Sequence, residues 1–504
     1  MSDNLFDILQ AGITGPVATA IETVDGRRIT YADLVARTGR MANALVGLGL
    51  VPGDRVAVQV EKSVEAIILY LATVRAGAVF LPLNTAYTPA EVRYFVGDAQ
   101  PRVFVCDPAK AQLLAPIAAE TGARLMTLNG EGQGTLTDEA ENAPVEFATV
   151  ARDRDDLAAL LYTSGTTGRS KGAMLTHGNL VSNTMALRDA WRYSARDVLI
   201  HALPIFHTHG LFVATNITLF SGASMIFLPK FDPARIMALM DRATVLMGVP
   251  TFYVRLLQEP ALDRETTAGM RLFISGSAPL LAETHREWQA RTGHAILERY
   301  GMTETNMNSS NPYEGARVAG TVGMALPGTE IIVTDPDTGA ELPQGEIGMV
   351  EVRGPNVFKG YWQMPEKTAA ELRANGFFIT GDLGKFDEAG YLHIVGRGKD
   401  LIITGGYNVY PKEIETEIDA LPGVSESAVI GLPHGDLGEG VTAVVVPSGT
   451  PALTEAEVLA PLQDRLARFK QPKRVLFVEE LPRNTMGKVQ KNLLRDQFAD
   501  LYEN

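Results

Sequence analysis

The chain has 504 residues, more than one hydrophobic core usually organises, so two or more domains are expected. Apolar residues make up 46% of the chain and charged residues 21%, which are the proportions of a globular protein. The formal net charge of −14 argues against nucleic-acid binding, which needs a basic face, and it requires that any anionic substrate be captured by local lysines and arginines.

The remaining global features favour a cytoplasmic enzyme. A single cysteine, Cys106, excludes an internal disulfide, suits a reducing compartment and is predicted to be buried in a strand. The N-terminal segment has no basic region followed by an apolar run, so no secretory signal is expected. No apolar run reaches the roughly 18 residues of a spanning helix, and the last residues carry no peroxisomal or retention address. We therefore expect a cytoplasmic protein that binds no membrane.

Short apolar segments alternate with helical patterns along most of the chain. Strands are predicted at Val56–Val60, Ala78–Leu83, Arg102–Asp107 and Arg271–Pro279, with a helix at Ser63–Ala76. This alternation predicts an α/β fold with largely parallel sheets. The polar, acidic segment Glu131–Asp156 is predicted to be a surface connection.

The segment Tyr162–Gly172, YTSGTTGRSKG, predicts a phosphate-binding loop that follows a buried strand at Leu157–Tyr162. Hydroxyl groups and a lysine can bind phosphate oxygens, and glycines let the backbone approach an anion closely. The predicted ligands are the hydroxyls of Thr163, Ser164, Thr166 and Thr167, the backbone at Gly165, Gly168 and Gly172, and the amine of Lys171. The loop differs from the Walker A pattern, because Ser170 rather than a glycine precedes Lys171.

The segment Glu298–Thr305, ERYGMTET, supplies a second group of candidate nucleotide ligands. Tyr300 can stack on an adenine, with Gly301 beside it, and Thr303 can reach an α-phosphate. Glu304 can hold Mg²⁺ through a hard oxygen ligand. Taken alone, the same letters also fit a strand and turn with no role in binding.

Two later segments add charged candidates. Asp382 follows an apolar strand, which is a natural place for a carboxylate that binds ribose hydroxyls, and Arg397 can add donors to the ribose or phosphate. The alternative interpretation of these two residues is a surface turn and an ion pair. Lys488 follows a glycine in the turn-rich stretch Leu481–Lys491 and can project from a loop, although a lone lysine there would ordinarily be a solvated charge.

The pattern of the chain changes twice after its α/β part. Beyond about residue 325, strand patterns separated by glycine and proline predict a β-rich subdomain. From Lys399 onward the pattern predicts a small α+β unit. We place the domain boundary there, which divides the chain into residues 1–398 and 399–504.

These motifs, in this order, resemble the adenylate-forming superfamily of acyl-CoA synthetases, luciferases and peptide synthetase adenylation domains. The resemblance covers nearly the whole chain and includes Leu203–Gly210, Gly345–Trp362 and Gly396–Glu415. One departure is Ser170, where the family commonly has proline. The resemblance implies that residues 1–398 bind ATP and a carboxylic acid, and that residues 399–504 form a mobile domain that rotates about a hinge at Lys399.

The resemblance also implies a reaction in two steps. The acid attacks the α-phosphate of ATP to give an acyl-adenylate and pyrophosphate, and the thiol of coenzyme A then displaces AMP. Lys488 would bridge the acid and the α-phosphate in the first step, and the Gly405–Gly406 loop would replace it beside the thiol in the second. The implied catalytic residues are Lys488, Glu304, Thr163 and His207, with Glu304 and Thr163 as the Mg²⁺ ligands.

Arg299 is the clue to the acid. In the related plant coumarate–CoA ligases the equivalent position resembles a glycine that lines the acyl pocket, whereas an arginine would fill that space and offer a fork to a carboxylate. His207, Thr208 and Ser277 are expected to line the same pocket. The segments HTHGL, SGSAPL and ERYGMTET are similar to malonyl-CoA synthetases. Malonate is therefore the expected acid, with methylmalonate as a second substrate.

Several alternatives stay open from the sequence. Arg299 can instead point away from the pocket and pair with an acidic neighbour, which would favour a short or medium-chain monocarboxylate. The thiol can belong to a carrier protein, and the chain can be a nucleotide sensor without catalysis. His207 and His209 form an HxH pair, but zinc needs three or four ligands and no third stands out. Acetylation of Lys488 by a lysine acetyltransferase would remove its charge and stop the first step reversibly.

Overall fold

Strands alternate with helices from the N-terminus to Met302, as the sequence predicts. The computed structural model describes residues 2–13, 15–163, 170–405, 407–449, 453–484 and 487–502. The first sheet has the strand order β6-β5-β3-β4-β7-β8, parallel except for the last pair. Its strands are β3 (Arg55–Gln59), β4 (Val79–Pro82), β5 (Val103–Cys106), β6 (Arg124–Thr127), β7 (Leu157–Thr163) and β8 (Lys171–Thr176).

A second, larger sheet has the order β15-β14-β13-β12-β11-β9-β10-β1-β2, with parallel pairing in its centre and antiparallel pairing at both edges. Its strands are β1 (Thr19–Thr23), β2 (Arg28–Thr30), β9 (Val198–His201), β10 (Ser224–Phe227), β11 (Val245–Gly248), β12 (Leu272–Ser275), β13 (Leu297–Met302), β14 (Asn306–Ser310) and β15 (Met324–Ala325). The carboxyl ends of the central strands meet at one edge, where ligand sites form in open parallel sheets.

Two β-rich sheets follow. The antiparallel sheet β16-β17-β18-β19 and the sheet β21-β20-β23-β22, with β24 beside β23, confirm the two predicted changes of pattern. Their strands are β16 (Glu330–Thr334), β17 (Gly348–Arg353), β18 (Phe378–Phe386), β19 (Leu392–Arg397), β20 (Ile402–Thr404), β21 (Tyr407–Val409), β22 (Val424–His434), β23 (Gly438–Pro447) and β24 (Arg474–Phe477). Lys399 lies between the two sheets, in the short 3-10 turn Gly398–Asp400, and its place as domain boundary stays a prediction.

The helices cover the sheets and are bounded by recognisable sequence signals. Ser63 caps α3, which is mostly apolar and buried along its whole length, so the predicted helix at Ser63–Ala76 is confirmed. In the described residues the helices are α1 (Leu5–Ala11), α2 (Tyr31–Gly47), α3 (Val64–Arg75), α4 (Pro89–Ala99), α5 (Ala111–Thr121), α6 (Thr135–Glu141), α7 (His177–Ala190), α8 (Asn216–Phe220), α9 (Pro233–Met237), α10 (Pro250–Leu257), α11 (Ala282–Thr292), α12 (Pro365–Glu371), α13 (Pro411–Asp419), α14 (Glu455–Leu462) and α15 (Lys491–Gln497).

The segment Glu131–Asp156 lies mostly at the surface, as predicted, but it also includes a short helix. It contains α6, whose Leu136 and Ala140 are buried one helical turn apart. Arg75 also donates to the carbonyl of Phe147 at 2.7 Å, which fastens the following stretch to α3. The acidic composition masked this short amphipathic pattern.

The structure bears on two further predictions, the burial of Cys106 and the expectation that no helix spans a membrane. Cys106 is fully buried on β5, as expected, and this burial raises the pKa of its thiol to about 11. Among the described residues, no helix combines the length and the apolar character that crossing a bilayer requires.

Candidate active site

The predicted phosphate loop is the turn of a β-hairpin. Strands β7 and β8 pair in antiparallel fashion up to Thr163 and Lys171, so the loop connects two neighbouring strand ends. Ser164, Gly165, Thr166, Thr167 and Gly168 lie outside the described residues, and their predicted contacts stay predictions.

The base of this hairpin is fixed by a segment from much later in the chain. The amide of Trp362 donates to the carbonyl of Gly172 at 2.7 Å, and the amide of Met174 donates to the carbonyl of Gly360 at 3.0 Å. A Cβ on Gly172 would lie 3.0 Å from Leu160 and 3.2 Å from Trp362. Gly172 therefore has a packing role in addition to the phosphate contact that the sequence predicts.

Lys171 is held by two residues that the sequence analysis did not single out. Its Nζ lies 3.2 Å from the hydroxyl of Tyr361 and 3.4 Å from Oε2 of Glu371. Tyr361 also donates to Oε1 of Glu304 at 3.1 Å. Tyr361 falls inside the motif Gly345–Trp362, but Glu371 lies beyond it and carries no sequence signal of its own.

Glu304 is buried in the turn between β13 and β14, with 5% of its surface exposed. Burial raises the pKa of its carboxyl group, and Lys171 and Arg397 partly oppose this rise. Thr303 lies half-buried beside it. Gly301 is required by packing, since a Cβ there would lie 2.0 Å from the carbonyl oxygen of Asn306.

Asp382 joins two other predicted nucleotide residues. Its Oδ2 accepts a hydrogen bond of 2.5 Å from Tyr300, and its Oδ1 pairs with Nε of Arg397 at 2.8 Å. Asp382 and Arg397 are cross-strand partners on β18 and β19, so the sheet register sets their contact. The alternative interpretation as an ion pair describes this contact, but the pair is not a surface turn, because the side chain of Asp382 is only 5% exposed.

Lys488 reaches this group from the other end of the chain. It ends a tight turn in which its amide donates to Oδ1 of Asn484 at 2.9 Å and Gly487 has a left-handed backbone, φ +75°. Although the residue remains exposed, the surrounding protein and the nearby Arg397 lower the pKa of its amine to about 8, while Asp382 acts in the opposite direction. The predicted loop lysine therefore lies beside the predicted nucleotide residues.

Arg299 lies buried within β13, as the third of its six residues, with 4% of its surface exposed. Its Nε and Nη2 find no hydrogen-bond partner among the described residues. Burial lowers the pKa of the guanidinium to about 9. Within the described part of the chain no ion pair involves Arg299, so the acidic neighbour required by the alternative interpretation is missing there.

Polar groups lie near this guanidinium at the start of the π-helix His209–Thr215 and in the loop after β12. Burial, Arg299 and Lys488 together lower the pKa of His207 to about 4, which places the imidazole near both cations. The hydroxyl of Thr208 is buried and has no partner among the described residues. Ser277 follows β12 and its Oγ lies 3.2 Å from Nδ1 of His209. The structure thus places His207 near Arg299 and links Ser277 to the neighbouring His209, while the role of His207, Thr208 and Ser277 as pocket residues stays a prediction.

Two further residues beside Arg299 were not predicted from the sequence to lie there. His209 is 1% exposed, and its Nε2 has no partner in the described chain. Gly276 makes room for the arginine, since a Cβ there would lie 2.4 Å from Cζ of Arg299. The HxH spacing was the available signal for His209, whereas the need for Gly276 appears only when β12 and β13 are neighbours.

The residues predicted for domain motion lie in two turns, and Lys399 is close enough to Arg397 and Asp382 for their charges to act on its amine. Lys399 is exposed in its 3-10 turn, and Gly405 is exposed in a turn with φ +56°. Gly406 is outside the described residues. Their roles as hinge and coenzyme A tunnel stay predictions.

The sequence and the fold of the whole chain are similar to those of known proteins. The chain belongs to the AMP-binding enzyme family, whose model matches residues 11–362, and the model of the AMP-binding enzyme C-terminal domain matches residues 413–488. ATP-bound MatB from Rhodopseudomonas palustris is 67% identical over the whole of both chains, with a TM-score of 0.98. The TM-score with apo MatB is 0.88, so this structure is more similar to the ATP-bound form.

Curated relatives share the family but differ in the acid that their names give. A malonate–CoA ligase of Arabidopsis thaliana is 34% identical over 94% of this chain and 86% of its own length. A feruloyl-CoA synthase of Amycolatopsis sp is 37% identical over 96% of both chains. Overall similarity at this level therefore does not select the acid.

Replacing Arg299 should reveal what its burial costs. We expect Arg299→Met to raise the free energy of unfolding by about 1–3 kcal/mol in the absence of substrates, because a desolvated charge without a partner is removed. Arg317→Met is the matched control and should lower the free energy of unfolding, because Arg317 donates to three backbone carbonyls at 2.9–3.3 Å. Thermal and urea unfolding measure the stability of both variants. Destabilisation by Arg299→Met would mean that Arg299 serves the fold.

Proposed function

We propose that this chain is an AMP-forming acid–CoA ligase and that its acid is malonate. It joins malonate and coenzyme A at the expense of ATP, giving malonyl-CoA, AMP and pyrophosphate through a malonyl-adenylate. The malonate–CoA ligases among its relatives support this choice. Methylmalonate, which is larger by one methyl group, is the second candidate substrate.

The unpaired guanidinium of Arg299 carries the proposal. A buried cation with two free nitrogens is complementary to a carboxylate, and the neighbouring Thr208 and His209 also have unpaired polar atoms. An adenylated monocarboxylate would leave these groups without partners. Malonate has a second carboxylate that remains after the first has been activated.

The first step joins two anions. One carboxylate of malonate attacks the α-phosphorus of ATP, an O–P bond forms, and the bond to pyrophosphate breaks. Lys488, beside Arg397 and His207, supplies positive charge where the carboxylate and the α-phosphate meet. Tyr300, Asp382 and Arg397 hold the nucleoside part of ATP.

The phosphate end of the site fits a magnesium complex of ATP. Glu304 offers a buried carboxylate and Thr163 a hydroxyl, and both are the hard oxygen donors that Mg²⁺ prefers. Bound there, the ion would neutralise charge on the polyphosphate. Lys171 adds a fixed cation from β8, and the glycine-rich loop supplies the remaining donors.

The second step requires different groups at the same place. The thiol of coenzyme A adds to the carbonyl carbon of the adenylate, the C–O bond to the phosphate breaks, and AMP leaves. Residues 399–504 rotate about Lys399 in this proposal, so that the Gly405–Gly406 loop replaces Lys488. A carrier-protein thiol is the alternative acceptor. Measuring AMP release with and without coenzyme A separates the two acceptors.

Two further parts of the proposal concern the cell. Acetylation of Lys488 by a lysine acetyltransferase would remove the charge that the first step needs and would be reversible by a deacetylase. The exposed position of the lysine supports access by such an enzyme. The cytoplasmic location stays a prediction.

The acid panel is the decisive test. We expect malonate to support CoA-dependent AMP release far better than acetate, butyrate or coumarate, by up to roughly 10⁴-fold, because a site built to pair a charge rejects an analogue that lacks it. AMP release is followed with each acid, with and without coenzyme A. Equal rates with malonate and butyrate would rule out a preference for a dicarboxylate. Activity only in the presence of a carrier protein would mean that the acceptor is a carrier-protein thiol and not coenzyme A.

Arg299→Met should separate acid recognition from nucleotide binding. Loss of the fork should weaken the transition state for malonate by about 2–5 kcal/mol, since the second carboxylate then loses its partner. ATP affinity, measured by calorimetry, should change little, because Tyr300 and Asp382 are untouched. Unchanged kcat/KM for malonate would contradict the role of Arg299.

Lys488 should serve adenylation and not thioester formation. We expect Lys488→Ala to reduce adenylation by roughly 10²–10³-fold or more and to leave the reaction of supplied malonyl-adenylate with coenzyme A intact. Because the pKa of the amine is about 8, adenylation should also fall as the pH rises through 8 and the charge is lost. Lys488→Arg keeps its charge above that pH, and its remaining activity should not fall there. Full adenylation by Lys488→Ala would refute the assignment and its regulation by acetylation.

A further inference from the structure

Protein groups surround the amine of Lys171. Its Nζ lies 3.4 Å from Oε2 of Glu371, 3.2 Å from the hydroxyl of Tyr361 and 4.2 Å from the centroid of the Tyr361 ring. The side chains of Lys171 and Glu371 are 19% and 22% exposed. The pair is therefore partly shielded from water, where an ion pair is stronger than at an open surface.

Glu371 divides its charge between two lysines. Its Oε1 pairs with Nζ of Lys367 at 2.6 Å, one helical turn earlier on α12. Lys171 is the more distant of the two, at 3.4 Å. Because Lys367 is on the same helix and 43% exposed, it can keep Glu371 paired when Lys171 moves away.

Tyr361 connects this pair to the carboxylate proposed to bind magnesium. Its hydroxyl lies 2.6 Å from Oε2 of Glu371 and 3.1 Å from Oε1 of Glu304. A hydroxyl has one hydrogen, so it can donate fully to only one of the two carboxylates at a time. A change in the position of Lys171 should therefore change the hydrogen bond that Glu304 receives from Tyr361.

We propose that Glu371 is an internal counter-ion that pairs with Lys171 before ATP binds and gives it up to the β- and γ-phosphates of ATP. The polyphosphate carries more charge than a carboxylate, and Lys171 borders the phosphate loop. Lys367 keeps Glu371 compensated during the exchange. After adenylation, Glu371 competes with pyrophosphate for the same amine and favours its release.

This inference rests on the proposed function only through its use of ATP, and not through the choice of malonate. Lys488 lies near Arg397 and Asp382, whereas Lys171 lies beside Tyr361 and Glu304. The two cations thus reach the nucleotide site from different elements. AMP, which lacks the β- and γ-phosphates, is the ligand that should not respond to Glu371.

Calorimetric binding of pyrophosphate, ATP and AMP to the full chain, at fixed magnesium concentration, tests the exchange. Glu371→Gln should raise the affinity for pyrophosphate and ATP about fivefold, the size expected for a half-buried ion pair, and leave the affinity for AMP unchanged. Lys367→Met should lower the affinity for pyrophosphate and ATP, because Lys171 is then the remaining cation that pairs with Glu371 in this group. Glu366→Gln removes an exposed charge from the same helix as the matched control and should change nothing.

The opposite signs of the two variants separate an exchange from a structural role. Unchanged pyrophosphate affinity in both variants, a change of the same sign in both, or an equal change for AMP would overturn the proposal. If Glu371→Gln does not fold, the Lys367→Met result decides alone. If the unsubstituted chain binds neither ATP nor pyrophosphate, the proposed function itself fails.

Discussion

The site must hold several anionic groups together inside a chain whose net charge is −14. Long-range attraction cannot gather them, so fixed cations at short distance must do so. Lys171, Arg397 and Lys488 come from three different sheets or loops, and two of them pair with a carboxylate of the chain. Much of the positive charge of the proposed site is thus compensated within the protein.

Arg299 is the exception to this compensation. Its guanidinium is buried without a partner for two nitrogens, and Gly276 provides the space that it occupies. Such a group lowers stability in the absence of ligand and gains its full value only when a carboxylate binds. A pocket of this kind selects against acids without a second charge more sharply than shape alone could.

Relatives at 33–37% identity carry names with malonate, ferulate and long-chain fatty acids. Proteins of this family are thus named for very different acids, and in the function proposed above the acid is selected by a few side chains on the β12, β13 and His207–His209 segments. The nucleotide side, by contrast, depends on strand register, as the Asp382–Arg397 pair shows. Function on this fold is therefore decided locally.

The sequence by itself determined the α/β class, the bounds of α3 to within one residue and the superfamily, and it singled out Tyr300, Asp382 and Arg397, which the folded chain brings into contact. These follow from local spacing, capping and the order of motifs. Only the tertiary structure showed that Glu371 pairs with Lys171, that Tyr361 joins both to Glu304, and that Gly276 admits Arg299. These contacts join residues far apart in the chain through strand pairing, and no local pattern encodes which distant groups the folded sheets bring within hydrogen-bond reach.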